Sequence, residues 1–199
     1  MCVSARLAGV FVLGFGLALG ATAQPQGQKQ EFRPAIAAIL KLADSLDASD
    51  VAEHAKKIVD THDSCDISQV FTPRRNNRGG PGIGSAVKAG HLDAISALVA
   101  DWSGTKPPTQ KELETHQTDL LKVARVLQAM AELAPYRGPL VLPRGNEKKA
   151  EEWRAVSAQF KTVTRDLRDA VQKADAAETR KVAVRLQQTC NACHAVAGI

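Results

Sequence analysis

From residue 34 onward, the apolar positions of this 199-residue chain recur at three- and four-residue steps, the period of an amphipathic helix. Pro34 suits a first helical turn, and Ile36, Ile39, Ala43 and Leu46 follow it on one stripe. The short polar cluster Asp47 to Asp50 interrupts that stripe and can cap a following helix, whose own stripe is Val51, Ala55, Ile58 and His62. One bent helix and a short helical hairpin fit the two stripes equally. Residues 65–84 carry no period. Within them, about 72–84 reads as a mobile, basic Arg/Gly-rich surface loop, with Arg74, Arg75 and Arg78 ahead of Gly79-Gly80-Pro81-Gly82-Ile83-Gly84. A helical pattern resumes at His91 and runs through Leu92, Ile95, Val99 and Trp102 until Gly104 and Pro107-Pro108 end it.

The carboxyl half is patterned more strongly. Thr109 and Glu112 are spaced as a capping box, and Leu113, His116, Leu120, Val123, Leu127, Met130 and Ala134 then form a seam. Pro135 and a loop from Tyr136 to Gly145 are expected to stop this helix. Another long helix starts near Asn146 and carries Trp153, Val156, Phe160, Val163, Leu167 and Val171 on its seam. Asp175 and Glu178 are spaced to cap a last helix, whose stripe is Val182, Leu186, Cys190, Cys193 and Ala197. No strand pattern competes with these helices, and no repeat rises above their shared period. The expected fold class is all-α.

Composition agrees: aromatics are only 4% of residues and alanine is abundant, which favours helices over sheets. The formal charge of +5 is too small and dispersed to argue for nucleic acid, and no aromatics interleave with the basic residues for base stacking. The amino end stands apart. Arg6, the apolar run Leu7 to Leu19 and the small residues Ala21-Thr22-Ala23 have the layout of a cleaved secretory signal over residues 1–23. The run is short for a membrane span and is interrupted by glycines, so no stable span is expected after cleavage. Gln24 to Glu31 is a polar leader. Residues 24–108 then form an N-terminal helical region with the Arg/Gly-rich loop, and residues 109–199 the C-terminal helices. The whole of 24–199 is expected to be one domain. The glycine-rich stretch lacks the Gly-Lys-Ser/Thr ending of a phosphate-binding loop.

The strongest chemical signal is Cys190-Asn191-Ala192-Cys193-His194. Two cysteines three apart, followed at once by histidine, is the pattern of c-type haem attachment. Two thiols add across the two vinyl groups of haem, and the adjacent imidazole then reaches the iron. On a helix, Cys190 and Cys193 are one turn apart, and Cys190 and His194 are i,i+4 neighbours. Export suits that chemistry, whereas a cytosolic Cys-x-x-Cys would suggest redox or zinc chemistry. With both cysteines on haem, Cys65 is left unpaired, either as a small buried apolar residue or in an intermolecular disulfide.

From Leu113 to His194 the chain resembles a class II c-type cytochrome, of the cytochrome c prime-like family. The resemblance rests on a long helix, a Pro/Gly loop, a helix with Trp153 and Phe160, an acidic turn at Asp175, and a last helix ending in the Cys-x-x-Cys-His motif. It implies an antiparallel four-helix bundle, here with an extra N-terminal helical segment and a Gly-rich loop. It also implies one covalent haem c, thioether links at Cys190 and Cys193, His194 as axial iron ligand, and a homodimer as one assembly. Two departures stand out. The chain lacks the aromatic and basic residues usual after the haem histidine, running Ala195-Val196-Ala197-Gly198-Ile199, and its amino half is longer than the family pattern.

Members of that family divide by the sixth ligand. A methionine in the first helix suits electron transfer, and an apolar residue there leaves the iron open to nitric oxide or carbon monoxide. The first helical stretch here offers Ile36, Ile39 and Leu40. Met130 is the only methionine after the signal and the candidate sixth ligand, with His54, His62 and His91 as bis-histidine alternatives; His116, on the Met130 seam, reads instead as a partly buried residue near the helix end. The expectation is therefore a periplasmic electron carrier or gas-binding haem protein, not an enzyme. Its partner would be a redox protein or a small gas. The alternative is an exported helical protein using Cys190, Cys193 and His194 for zinc or thiol redox chemistry. Zinc would need a fourth ligand such as Cys65, and thiol redox would want a strand next to the cysteines.

Overall fold

Each of the three long helices begins with a side chain that satisfies its first free amides. In α5 (Gln110–Val141), Thr109 and Glu112 form the complete capping box. Asn146 accepts from the Lys149 amide at the start of α6 (Glu147–Gln172), and Asp175 accepts from the Glu178 amide at the start of α7 (Ala176–Ala197). The computed structural model describes residues 33–74, 79–87, 92–104, 106–142 and 144–198, and among these every regular element is helical. They lie in one compact unit, Phe32–Ile199. The expected signal at 1–23, the polar leader, Arg75, Arg78 and His91 fall outside the described residues.

Cross-links between the long helices set their directions. Lys161 pairs with Glu132 at 2.7 Å, Arg168 donates to Gln128 at 3.2 Å, and Gln117 donates to the Gln172 carbonyl at 2.9 Å. Residue numbers rise along α6 as they fall along α5, so the two are antiparallel. Lys149 to the Val196 carbonyl at 2.9 Å and Arg185 to Asp166 at 3.1 Å give the same order for α6 and α7. Such surface links are worth about 0–1 kcal/mol each. The stabilising term is the seam of buried Leu113, Leu120, Leu127, Met130, Phe160, Val163, Leu167, Val182 and Leu186 that they border. α5 and α7 therefore run parallel and finish at one end of the assembly, beside the start of α6.

Two boundaries differ from the expected ones. α5 does not stop at Pro135 but continues to Val141. Proline there removes one helical amide, yet Trp153 of α6 lies on this last turn and its indole N–H donates to the Ala134 carbonyl at 2.8 Å. Gly138 makes the approach feasible, since a Cβ there would stand 3.0 Å from the Trp153 ring. Packing thus overrides the local breaker. At the other end α5 bends at His116, whose φ of −112° and ψ of 15° leave the helical region. On α6, the seam passes through buried Ser157 rather than Val156, which is only partly buried.

The N-terminal stripes form two helices, not one bent one. α1 (Pro34–Asp44) and α2 (Val51–Thr61) pack on each other and on α5. Arg125 of α5 donates to the Ala43 carbonyl at 2.9 Å. Asp50 holds the N-cap position of α2 without a capping bond, facing His54 at 3.6 Å instead. Residues 65–84 were expected to be irregular, but they begin inside a short helix, α3 (Ser64–Ser68), capped by Asp63, and continue as a 3-10 turn, Gln69–Phe71. The glycine-rich segment is also not a free basic loop where it is described. Arg74 is paired with Asp93 at 3.0 Å, and Asp93 accepts the Ile83 amide at 2.6 Å. Gly79, Gly80 and Ile83 are buried. Gly80 has the Val70 carbonyl where a Cβ would stand, 2.5 Å away, so no larger residue fits. α4 (Ile95–Ser103) packs on α7 through a buried face of Ile95, Leu98, Val99 and Trp102. Leu92, expected on that stripe, lies before the helix and is exposed. No described helix is long and apolar enough to cross a membrane.

Candidate functional site

The motif residues lie on the last two turns of α7. Leu186 and Thr189 are buried, and Thr189 donates its hydroxyl to the Arg185 carbonyl at 2.9 Å. Cys190 follows, half-buried and packed against the edge of the core, and Cys193 is half-buried one turn later. His194 is exposed. Gly198, at φ 74°, ends the helix in a left-handed cap whose amide bonds back to the His194 carbonyl at 2.8 Å. The spacing therefore holds as expected: two thiols on one stripe and an imidazole beside them.

Cys190 and Cys193 are free thiols. Burial pushes the Cys190 thiol up to about 11, with the neighbouring Cys193 adding to the effect. Burial also raises Cys193, opposed by the positive charge of Arg137. Both sulfurs are therefore protonated at neutral pH. A thiol oxidoreductase needs the reverse, a thiolate stabilised by its surroundings. Nor do the three motif residues converge on a point: no group of three His, Cys, Asp or Glu among the described residues could hold a metal ion. Cys65, expected to be unpaired, is half-buried on α3 and disulfide-bonded.

The other candidates are spread along the fold. Met130 is fully buried in the core, two turns before Arg137 on α5, and so about 10 Å along the axis from the α5 residue that faces Cys193. His116 sits at the bend of α5, with Nδ1 3.1 Å from the Ser85 hydroxyl, and is separated from Arg137 by about 30 Å of helix. His54 is exposed beside Asp50, and His62 caps α2. Ile36 and Ile39 are buried, on a helix that packs on α5. An open cleft of about 530 Å³ lies at the α5–α6 turn between Gly138, Asn146, Trp153 and Arg154, at the end of the fold where α7 also finishes.

Arg137 was not singled out in the sequence because it falls in the stretch expected to be a loop. Carrying the α5 period past Pro135 would have placed it one turn after Ala134. It joins three elements: it stands on α5, is held by Ser64 and Ser68 of α3, and faces Cys193 of α7. No protein-family model, curated protein or solved structure matches the chain.

Proposed function

We propose that this chain is an exported, periplasmic c-type cytochrome similar to the cytochrome c prime-like family. It would carry one covalent haem and act in single-electron transfer or in binding a small gas such as nitric oxide or carbon monoxide. Cys190 and Cys193 would hold the haem by thioether bonds, and His194 would bind its iron. When bound, the haem supplies a one-electron couple or an iron site for a gas. In this reading α5, α6 and α7 are three helices of a four-helix bundle, and the fourth position is shared by α1 against α5 and α4 against α7.

The observation that carries the reading is the layout of the motif. Two free, half-buried thiols sit one turn apart, Cys190 at the edge of the core, and the adjacent imidazole is exposed. Thioether formation would add each S–H across a vinyl C=C, the sulfur to one carbon and the hydrogen to the other, and would require both sulfurs reduced and unpaired, as they are here. The chain's own part is to hold both sulfurs on one rigid helix and to shield one side with Leu186 and Thr189. Thiol redox chemistry is less well supported, by the raised thiols, and zinc by the exposed His194, which does not converge with the two cysteines on a metal position.

The test is the visible spectrum of protein exported into a periplasm that attaches haem, recorded oxidised, reduced, and reduced with carbon monoxide. The expected result is a Soret band that survives acid-acetone extraction and shifts with the gas, and that Met130→Leu leaves unchanged, since Met130 is core filling. No surviving Soret band would overturn the haem reading. A sharp reduced alpha band indifferent to carbon monoxide would instead show a strong sixth ligand and favour electron transfer.

A further inference from the structure

The cleft of about 530 Å³ at the α5–α6 turn falls within the roughly 300–1,000 Å³ of ordinary small-molecule sites. Its described lining comes from the end of α5, the turn that follows and the start of α6, and none of it from α7, so the cleft is built without the cysteine motif. Its walls are largely apolar, formed by Pro135, Gly138, Leu142, Ala150 and Trp153. The polar atoms nearest those walls are already committed. Trp153 donates its indole N–H to the Ala134 carbonyl, and the Asn146 side chain accepts the Lys149 amide at 3.0 Å. Such walls favour a ligand with a hydrocarbon body, since a polar one would lose its water without finding a partner there. Only 7% of Trp153 is exposed, so little of its ring is left for an aromatic ligand to stack on.

The free chemistry of the cleft is cationic. Arg144 and Arg154 both line it, both are exposed, and their side chains make no hydrogen bond or ion pair with a described residue. Glu147 is the single acid in the lining, which leaves one positive charge in excess. A guanidinium takes a carboxylate through two parallel bonds, and here it gives up no existing ion pair to do so.

We propose that this cleft binds a medium-chain alkyl carboxylate, with its hydrocarbon chain against Leu142, Ala150 and Trp153 and its carboxylate on Arg144 and Arg154. The inference does not rest on the covalent-haem reading, because none of the residues it uses belongs to the motif. The two halves of the site make separate demands on a ligand. The walls select for chain length, each buried methylene tightening binding by about fourfold at most, and the arginines select for negative charge.

The test is titration calorimetry of the chain as exported, with octanoate, decanoate and decyltrimethylammonium as probes at concentrations where none forms micelles. Decanoate should saturate at one per chain and bind about tenfold more tightly than octanoate, and the cation of the same chain length should not saturate. Arg144→Gln combined with Arg154→Gln should weaken decanoate about tenfold. Ala150→Leu fills the cleft without touching either arginine and should abolish binding; the exposed arginine pair carries the test if that variant does not accumulate. The inference is overturned by decanoate that does not saturate, by equal binding of the cation, or by unchanged binding in either variant. The same titration on Cys190→Ser combined with Cys193→Ser, which cannot form the thioether links, should give the parental decanoate affinity. Binding by that variant alone would mean that the attached haem fills the cleft, which overturns the inference and leaves the haem reading standing.

Discussion

At the scale of single residues, the chain spends its buried and charged groups unevenly. Asp119 shows how much one carboxylate can hold. It accepts the Ser85 amide at 2.7 Å and lies 3.3 Å from Lys122 Nζ. These contacts, the Ser85 amide foremost, bring its pKa down from the ordinary 3.8 to about 2. A carboxyl depressed in the folded state contributes stability above its unfolded pKa and loses it as pH falls through the folded one. The melting temperature of the parent should therefore fall between about pH 4 and pH 2 relative to Asp119→Asn, the two curves converging near pH 2. A difference that stays constant across that range would show that the bond to Ser85 adds nothing. None of this was legible in the sequence, where Asp119 and Ser85 lie 34 residues apart with no shared pattern. The placing of Cys190, Cys193 and His194 on one terminal helix was legible because it follows from their spacing and the helical period alone. Arg137 was not, because its meaning comes from Ser64, Ser68 and Cys193, which only the fold brings together.

At the scale of elements, caps and periods were good guides and breakers were not. Thr109, Asn146 and Asp175 each stand where a helix begins, since a capping bond is local and its geometry is written in four residues. Pro135 misled because its cost is also local, whereas the compensation comes from Trp153, 18 positions away. Gly138 is the test of that compensation. Replacing it with Ala gains about 1 kcal/mol of helix propensity. It also pushes a methyl to 3.0 Å from the Trp153 ring and threatens the indole bond to Ala134, an overpacking of about 1–3 kcal/mol. Gly138→Ala should thus lose about 1 kcal/mol net, read by denaturant unfolding, with a shift in tryptophan emission. Stabilisation with unchanged emission would mean that Trp153 does not depend on this close approach. The Gly79–Gly84 segment misled in the opposite way. Its composition reads as a free loop, but Asp93 holds the Ile83 amide within it and Asp119 holds the Ser85 amide just after it.

At the scale of the whole molecule, helical period gives the elements and their buried faces but not their partners. The all-helical class and the three long helices were expected from sequence. That α1 and α2 would lie on α5 while α4 lies on α7 was not, because stripes of Ile, Leu, Val and Ala are interchangeable as packing surfaces. The consequence for the site is direct: the parallel ends of α5 and α7 bring the Arg137 charge within electrostatic reach of Cys193, and Ser64 and Ser68 of α3 hold the Arg137 guanidinium. If the chain is a c-type cytochrome, one measurement decides it. The protein is exported with haem-attachment enzymes, digested, and the peptide containing Cys190 to His194 is weighed with and without a thiol-alkylating reagent. The predicted result is a peptide heavier by one haem, with neither cysteine open to alkylation. A peptide of unmodified mass, alkylated at both Cys190 and Cys193, would contradict it.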